Sequence, residues 1–448
     1  MTRQRKLSFY ALVIMCLVIS CGQSHSPTLK STQLSTSTIT PTLEPISTLI
    51  PTSTIVPTST IVPLPVLTTT ATQLPEETPF FRRITSLPNI ELDTYSYVQV
   101  RALADGLVWI ITNQSVLRWN TQAWEEILSG SEDMLAAVDD SGRLWVLGQD
   151  TSTITAWQDG QWMTYAADSG WMDAGLPPME GWTLTPWSFY SDVEGKLWVP
   201  MASDVRAFDG NRWTSYSLEE MGFAQLDMED IGIVHSLSMA KDGTEVWVGE
   251  CYYSGPGPMG GGGVRWFDGT TWHGADMPVG SSCVSAIQQD SAENVWLGTY
   301  EITWRFEPST QSWTEYPLPE TLLLDYNFAY PQQLMVDQNG DVWAIMQMCG
   351  GASCGVSSNL YQLHDGEWSL IIDAQSWSVP LMQLALDGSG QGWLFGNGKF
   401  YQLEAESINQ VASMEAHGIG VDPEGRVWVL AGSENNVALW LLEPQGEE

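Results

Sequence analysis

The stretch Cys283-Val-Ser-Ala-Ile-Gln-Gln-Asp290-Ser-Ala-Glu-Asn-Val-Trp296-Leu-Gly298 sets two apolar runs around a polar turn, and residues 299–316 continue in the same manner. Val284–Gln289 reads as a first strand, Asp290–Asn294 as a turn and Val295–Gly298 as a second strand. Ile302–Phe306 and Ser312–Tyr316 supply two more. The whole is one antiparallel meander of four short strands. Aligning the second-strand tryptophan finds eight copies, at Trp109, Trp145, Trp198, Trp247, Trp296, Trp343, Trp393 and Trp428, spaced 36, 53, 49, 49, 47, 50 and 35 residues apart.

The frame of that tryptophan repeats too. Asp139, Asp192, Asp290, Asp337, Asp387 and Asp422 stand six positions before it, and Gly142, Gly195, Gly340, Gly390 and Gly425 three before. A small polar residue and a glycine between two apolar runs are what a tight hairpin needs. Asp159-Gly160, Asp209-Gly210, Asp268-Gly269 and Asp365-Gly366 mark a second hairpin, before the outer-strand residues Trp162, Trp213, Trp272 and Trp368. Four-stranded units of this period cannot bury both sheet faces alone, so they must pack on one another. The expected fold is all-β: an eight-bladed β-propeller of four-stranded antiparallel blades, with seven blades as the alternative. Of 23 tryptophans, eight fall on second strands, six on outer strands and five on third strands, where they fill the gaps between blades.

The Asp-x-x-Gly-x-x-Trp-Val/Leu frame, followed by an aromatic-Asp-Gly strand, resembles the two-component regulator propeller repeat over residues 80–448. The resemblance implies a β-propeller of the kind found in extracytoplasmic sensor regions and in stand-alone exported proteins. Copies one and four depart from it, with Asp105-Gly106 and Asp242-Gly243 shifted toward the tryptophan.

The chain begins with Arg3, Arg5 and Lys6 followed by an apolar run over residues 7–19, the pattern of an export signal. Val18-Ile-Ser-Cys21 resembles a bacterial lipobox, which makes residues 1–20 a lipoprotein signal peptide and Cys21 the lipidated first residue of the mature protein. Residues 22–79 turn to Ser, Thr and Pro with almost no charge. Such a tract builds no core and reads as a disordered tether, with a span of about 45 Å as a flexible coil. The propeller domain occupies 80–448. Its last copy lacks an outer strand, and Phe80–Pro88 resembles the outer strands at Trp213 and Trp313. That segment is therefore expected to close the ring as the fourth strand of the last blade, which covers two edges that would otherwise aggregate.

Strand alternation places the connections between blades, and those between second and third strands, on one rim. All the long insertions fall there: 166–186, 217–231, 250–263, 317–330, 347–358 and 372–379. Long loops on a rigid scaffold usually carry binding. The aromatics outside the repeat on this rim, Trp171, Trp182, Trp377, Tyr252, Tyr253 and Tyr326, are candidates to stack on sugars or anchor a peptide, with His235 and His417 near the starts of inner strands.

Of the cysteines left after signal removal, Cys251, Cys283, Cys349 and Cys354, an even number outside the cytoplasm points to disulfides, with three pairings open. The rim geometry favours Cys349 with Cys354 and Cys251 with Cys283. Metal binding finds no shared Cys/His motif, and no cofactor is expected. Residues 80–448 hold 50 Asp and Glu against 13 Lys and Arg, a surface that repels nucleic acid and favours cationic partners. Asp337 to Asp341 has a superficial likeness to part of a calcium loop, but the repeat's hairpin explains it.

No Gly-x-Ser-x-Gly elbow, His-Glu-x-x-His pair or phosphate loop is present, so no catalytic residue is assigned. The expected function is that of a monomeric extracytoplasmic lipoprotein, attached to the membrane through its lipid only, that binds a protein or carbohydrate. The alternative is a propeller lyase or hydrolase acting on a glycan, peptide or lactone.

Overall fold

The computed structural model describes residues 81–442 apart from 89–97, 113, 130–134, 148–151, 172–188, 202, 224–229, 241, 255–256, 276, 279–282, 321, 323–327, 351–352, 374–381, 397, 405–406 and 433–435. All of these described residues belong to one compact unit, 70–448. Cys21 and the signal and tether segments lie outside the described residues. Among the described residues no helix is long and apolar enough to cross a membrane.

Eight four-stranded antiparallel sheets form the ring of an eight-bladed β-propeller. The blades are numbered I to VIII in the order of their second-strand tryptophans, Trp109 to Trp428, and blade I, for example, runs Gln99–Ala102, Val108–Ile111, Ser115–Trp119 and Trp124–Ser129 from the axis outward. Blade VIII orders Ala416–Val421, Val427–Ala431 and Ala438–Leu442 outward and then takes Phe81–Ser86 as its outer strand, antiparallel to Ala438–Leu442. The expected closure is therefore present, and Phe81 is buried against Phe400 of blade VII with ring centroids 5.1 Å apart.

Each second strand is apolar on both faces because each face meets a neighbouring blade. All eight repeat tryptophans are buried there. In six blades the repeat aspartate holds both the hairpin and the indole. One carboxylate oxygen accepts the backbone N–H groups two and four residues on, as from Ser141 and Arg143 to Asp139 at 3.0 Å. The other accepts the indole N–H, as from Trp145 at 2.8 Å, Trp343 at 3.0 Å and Trp428 at 2.9 Å. The two irregular copies depart as their sequences do. In blade IV Glu245 takes over as acceptor for Trp247 at 3.0 Å, whereas in blade I Asp105 bonds Leu107 N–H and the buried Trp109 indole N–H has no acceptor.

Side chains of the inner strands tie successive blades at the axis. Ser236 Oγ donates to Val284 O at 2.8 Å, Ser285 Oγ to Pro331 O at 2.7 Å, and Gln333 brackets Leu384 through Nε2 to its carbonyl and Oε1 from its N–H. Gln383 Oε1 accepts Ile419 N–H at 3.0 Å. At the closing seam Gly420 of blade VIII approaches Val100 O of blade I so nearly that a Cβ would lie 2.3 Å from it. Two inner strands meet there with no room for a side chain.

Candidate functional site

The rim carrying the long connections is not loop throughout. In blade IV the strands Asp230–Met239, Val246–Ser254 and Gly257–Phe267 have 10, 9 and 11 residues, and in blade VI Phe328–Val336, Val342–Gly350 and Ser353–His364 have 9, 9 and 12. The corresponding strands of the other blades have two to six. Within segments 250–263 and 347–358, read from sequence as loops, residues 250–254, 257–263, 347–350 and 353–358 are instead paired strand that carries the sheet beyond this rim. Backbone pairing satisfies the Gly260–Gly263 run, which composition alone assigns to a loop.

Bulges break these extended ladders. Register slips between Val234 and Ser236, leaving His235 as the extra residue, and again between Ala416 and Gly418 around His417. A bulge re-aims the side chain it carries. His417 is committed to the backbone: its Nε2 donates to Gly432 O at 2.8 Å. His235 is buried beside a Cys251–Cys283 disulfide that joins blade IV to the start of blade V, with Cα atoms 4.3 Å apart. The ligating atoms of His235, Cys251 and Cys283 lie within 4.8 Å of one another. Sequence spacing gives no hint of this cluster, because only the strand pairing and the bulge bring the histidine to the cysteines.

Next to Cys251 on the strand, Glu250 is 1 % exposed and neither carboxylate oxygen has a hydrogen-bond partner. Burial pushes its carboxyl up to about 7, opposed by the charge of Arg265. That guanidinium donates to Gly222 O and lies over the Phe223 ring. Glu250 is a polar residue in a packed seam that sequence reasoning did not single out.

Other expectations meet a mixed outcome. Trp171 is corrected: it is fully buried, packed on Trp213 at 4.9 Å between ring centroids and covered by the Arg206 guanidinium at 4.3 Å, so it is not a rim aromatic open to a ligand. Conversely Trp162, assigned to packing, is 44 % exposed. The register pairs Cys349 with Cys354 across the blade VI hairpin, but their side chains, and those of Tyr252 and Tyr253, lie outside the described residues. Trp182, Tyr326 and Trp377 lie outside them altogether. In the calcium-like segment, Asp337 serves its hairpin and Trp343, while Asp341 accepts from Gln362 at 3.1 Å and contacts His364 Nδ1 at 2.7 Å.

A cleft of about 250 Å³ opens at the opposite end of the axis, where the inner strands of blades I to IV reach the short hairpins. Arg101 pairs there with Asp140, and Gln99, Tyr190, Ser191, Val138 and Met239 share the lining. Desolvation lowers the Arg101 pKa, and the charges of Asp139 and Tyr190 oppose it.

No family model matches the sequence, and no curated protein matches it. Among solved structures the chain is similar to a streptogramin B lyase, at 16 % identity over 69 % of this chain and 93 % of that one, with a TM-score of 0.41. It is similar to virginiamycin B lyase from Staphylococcus aureus at 12 % identity over 81 % and 100 %, TM-score 0.41. The extracellular domain of a putative one-component system from B. thetaiotaomicron matches at 16 % identity over 78 % of this chain, TM-score 0.41, and the chain spans only 52 % of its length. Likenesses this loose carry no argument about activity.

Proposed function

We propose that the protein is an exported lipoprotein, anchored through Cys21 and a Ser/Thr/Pro tether, whose propeller binds a partner protein or a carbohydrate in a sensor-like or scaffolding role. The repeat frame supports placing it with the two-component regulator propellers. The observation that carries the binding reading is the one-sided extension of blades IV and VI. Six strands outgrow their counterparts, and all do so toward the same rim. Extra paired strand on a closed ring is not needed for closure, and a projecting hairpin offers both side chains and a backbone edge to a partner. The Cys251–Cys283 disulfide supports an oxidising compartment.

The test has two arms. Shortening the tips at 253–258 and 350–353 to two-residue turns should leave the melting temperature of the ring within a few degrees. The same change should abolish recovery of whatever the intact protein captures from detergent-solubilised envelopes or a glycan array, whereas altering the opposite-rim turn at 308–311 should not. Capture that survives loss of both tips would overturn the assignment of the rim. Cys21→Ser should move the protein from the detergent phase to the aqueous phase, and unchanged partitioning would overturn the anchor.

A further inference from the structure

The disulfide between blades IV and V is flanked by an imidazole that the disulfide itself does not use. His235, Cys251 and Cys283 are 5 %, 0 % and 0 % exposed, and their ligating atoms lie within 4.8 Å of one another. Two irregularities converge on the cluster. His235 is the extra residue of one bulge, and the pairing of Val246–Ser254 with Gly257–Phe267 slips between Glu250 and Cys251. Bulges that aim a histidine at a disulfide bridging its own blade to the next are not required by closure of the ring, and bulges are found preferentially beside sites that do chemistry.

We propose that on reduction these three residues form a binding site for a thiophilic divalent cation of the zinc type. A dithiol reductant gives two electrons and two protons to the disulfide and is itself oxidised to a cyclic disulfide. Cys251 and Cys283 become thiols. The incoming cation displaces both thiol protons to solvent, the two thiolates and the neutral imidazole donate to it, and the fourth position is left for water. The charge balance suits the location. Two thiolates and one divalent cation sum to zero, and a buried ion is tolerable only where it is neutralised by its ligands. The distances suit it also. Zn–S near 2.3 Å and Zn–N near 2.0 Å put tetrahedral ligands roughly 3.5 to 3.8 Å apart. Side-chain rotation reaches that separation once the sulfurs are released from each other. The seam between the two blades is then tied in both redox states, by a covalent bond when oxidised and by coordination when reduced.

The test uses the full chain carrying C16S, C21S, C349S and C354S, so that Cys251 and Cys283 are its only cysteines. After dithiothreitol treatment under native conditions and removal of the reductant without air, Co²⁺ is titrated in. The expected result is one equivalent bound, with thiolate-to-cobalt charge transfer in the near ultraviolet and tetrahedral bands in the visible, both erased by Zn²⁺ and both missing from the oxidised protein. His235→Gln should weaken Co²⁺ at least tenfold and alter the visible bands while the far-ultraviolet circular dichroism stays that of a folded β-protein, and Cys251→Ser should remove the charge transfer. The proposal is overturned if no new thiols react after reduction, if the reduced protein binds no Co²⁺, or if His235→Gln leaves affinity and spectrum unchanged. Its failure leaves the rim-binding reading standing, since capture by the hairpin tips is measured on the oxidised protein.

Discussion

At the residue scale the repeat's meaning is a hydrogen-bonding unit. The aspartate six positions before the tryptophan in six of the blades reads in sequence as a turn former, and it is one. Its second oxygen also receives the indole N–H, a role invisible in sequence because the turn alone is sufficient reason for the residue. Asp139→Ala strips acceptors from Ser141 N–H, Arg143 N–H and the buried indole of Trp145. It should cost about 2–3 kcal/mol in urea unfolding, since orphaned buried donors bear their desolvation penalty unrelieved. Asp105→Ala, which frees only Leu107 N–H near the surface, should cost less than about 1 kcal/mol. Equal costs would refute the indole's part. Glu250 gives a second test. Its folded carboxyl titrates at about 7, against 4.5 in the unfolded chain, so between these values the native state holds the extra proton. Stability from this group is therefore full below pH 4.5 and is lost as pH rises through 7, by about 3 kcal/mol in the limit. Glu250→Gln should be pH-insensitive by comparison and overtake the wild type at pH 8; parallel curves for the two proteins would show that the carboxyl is solvated. Trp171 shows the opposite limit of sequence reading. It falls outside the repeat and so reads as a surface aromatic. The left-handed Gly170, where a Cβ would lie 2.3 Å from Trp213 O, turns the chain back and seats it in the core.

At the scale of elements the eight meanders and the closing strand were legible, because a recurring frame of tryptophan, aspartate and glycine reports strand, turn and packing together. The extended hairpins were not. Residues 250–263 and 347–358 are rich in glycine and serine, and what makes strands of 250–254, 257–263, 347–350 and 353–358 is pairing between neighbouring strands, which period and propensity do not record. The His235 bulge was hidden for the same reason. Closure yields a prediction of its own. Removing residues 80–90 strips the outer strand from Ala438–Leu442 and exposes the side of blade VII that Phe81 covers, so the product should be insoluble or rapidly proteolysed. The milder Gly420→Ala places a methyl group against Val100 O at the seam between blades VIII and I. It should lower the melting temperature markedly, while Gly269→Ala, with open space around its Cβ position and strained only by its left-handed backbone, should lower it less. A seam variant as stable as the wild type would mean that the two inner strands separate without cost.

At the scale of the whole molecule the governing fact is charge. Residues 80–448 carry 50 acidic and 13 basic side chains, and many of the basic ones are engaged within blades. Arg118, Arg143, Lys196, Arg305 and Arg426 lie over second-strand tryptophans, at 5.6, 5.3, 5.3, 5.8 and 5.8 Å from the ring centroids. Each such contact contributes about 0.5–2 kcal/mol. Thirteen cations, some of them also ion-paired, as Arg118 is with Glu125 and Arg426 with Asp422, leave most of the 50 acidic groups unbalanced, so the ring is folded against its own repulsion. Raising ionic strength from about 0.01 M to 0.15 M shortens the screening length from about 30 Å to about 8 Å. The isolated propeller should therefore melt several degrees higher at the greater salt concentration, with sodium chloride and potassium chloride acting alike. A basic partner on the rim should show the reverse dependence, binding more weakly as salt is added, because the same repulsion that salt relieves in the free protein is what the partner's charge relieves in the complex. A melting temperature that ignores salt would mean that the acidic groups are compensated locally, and the preference for cationic partners would fall with it.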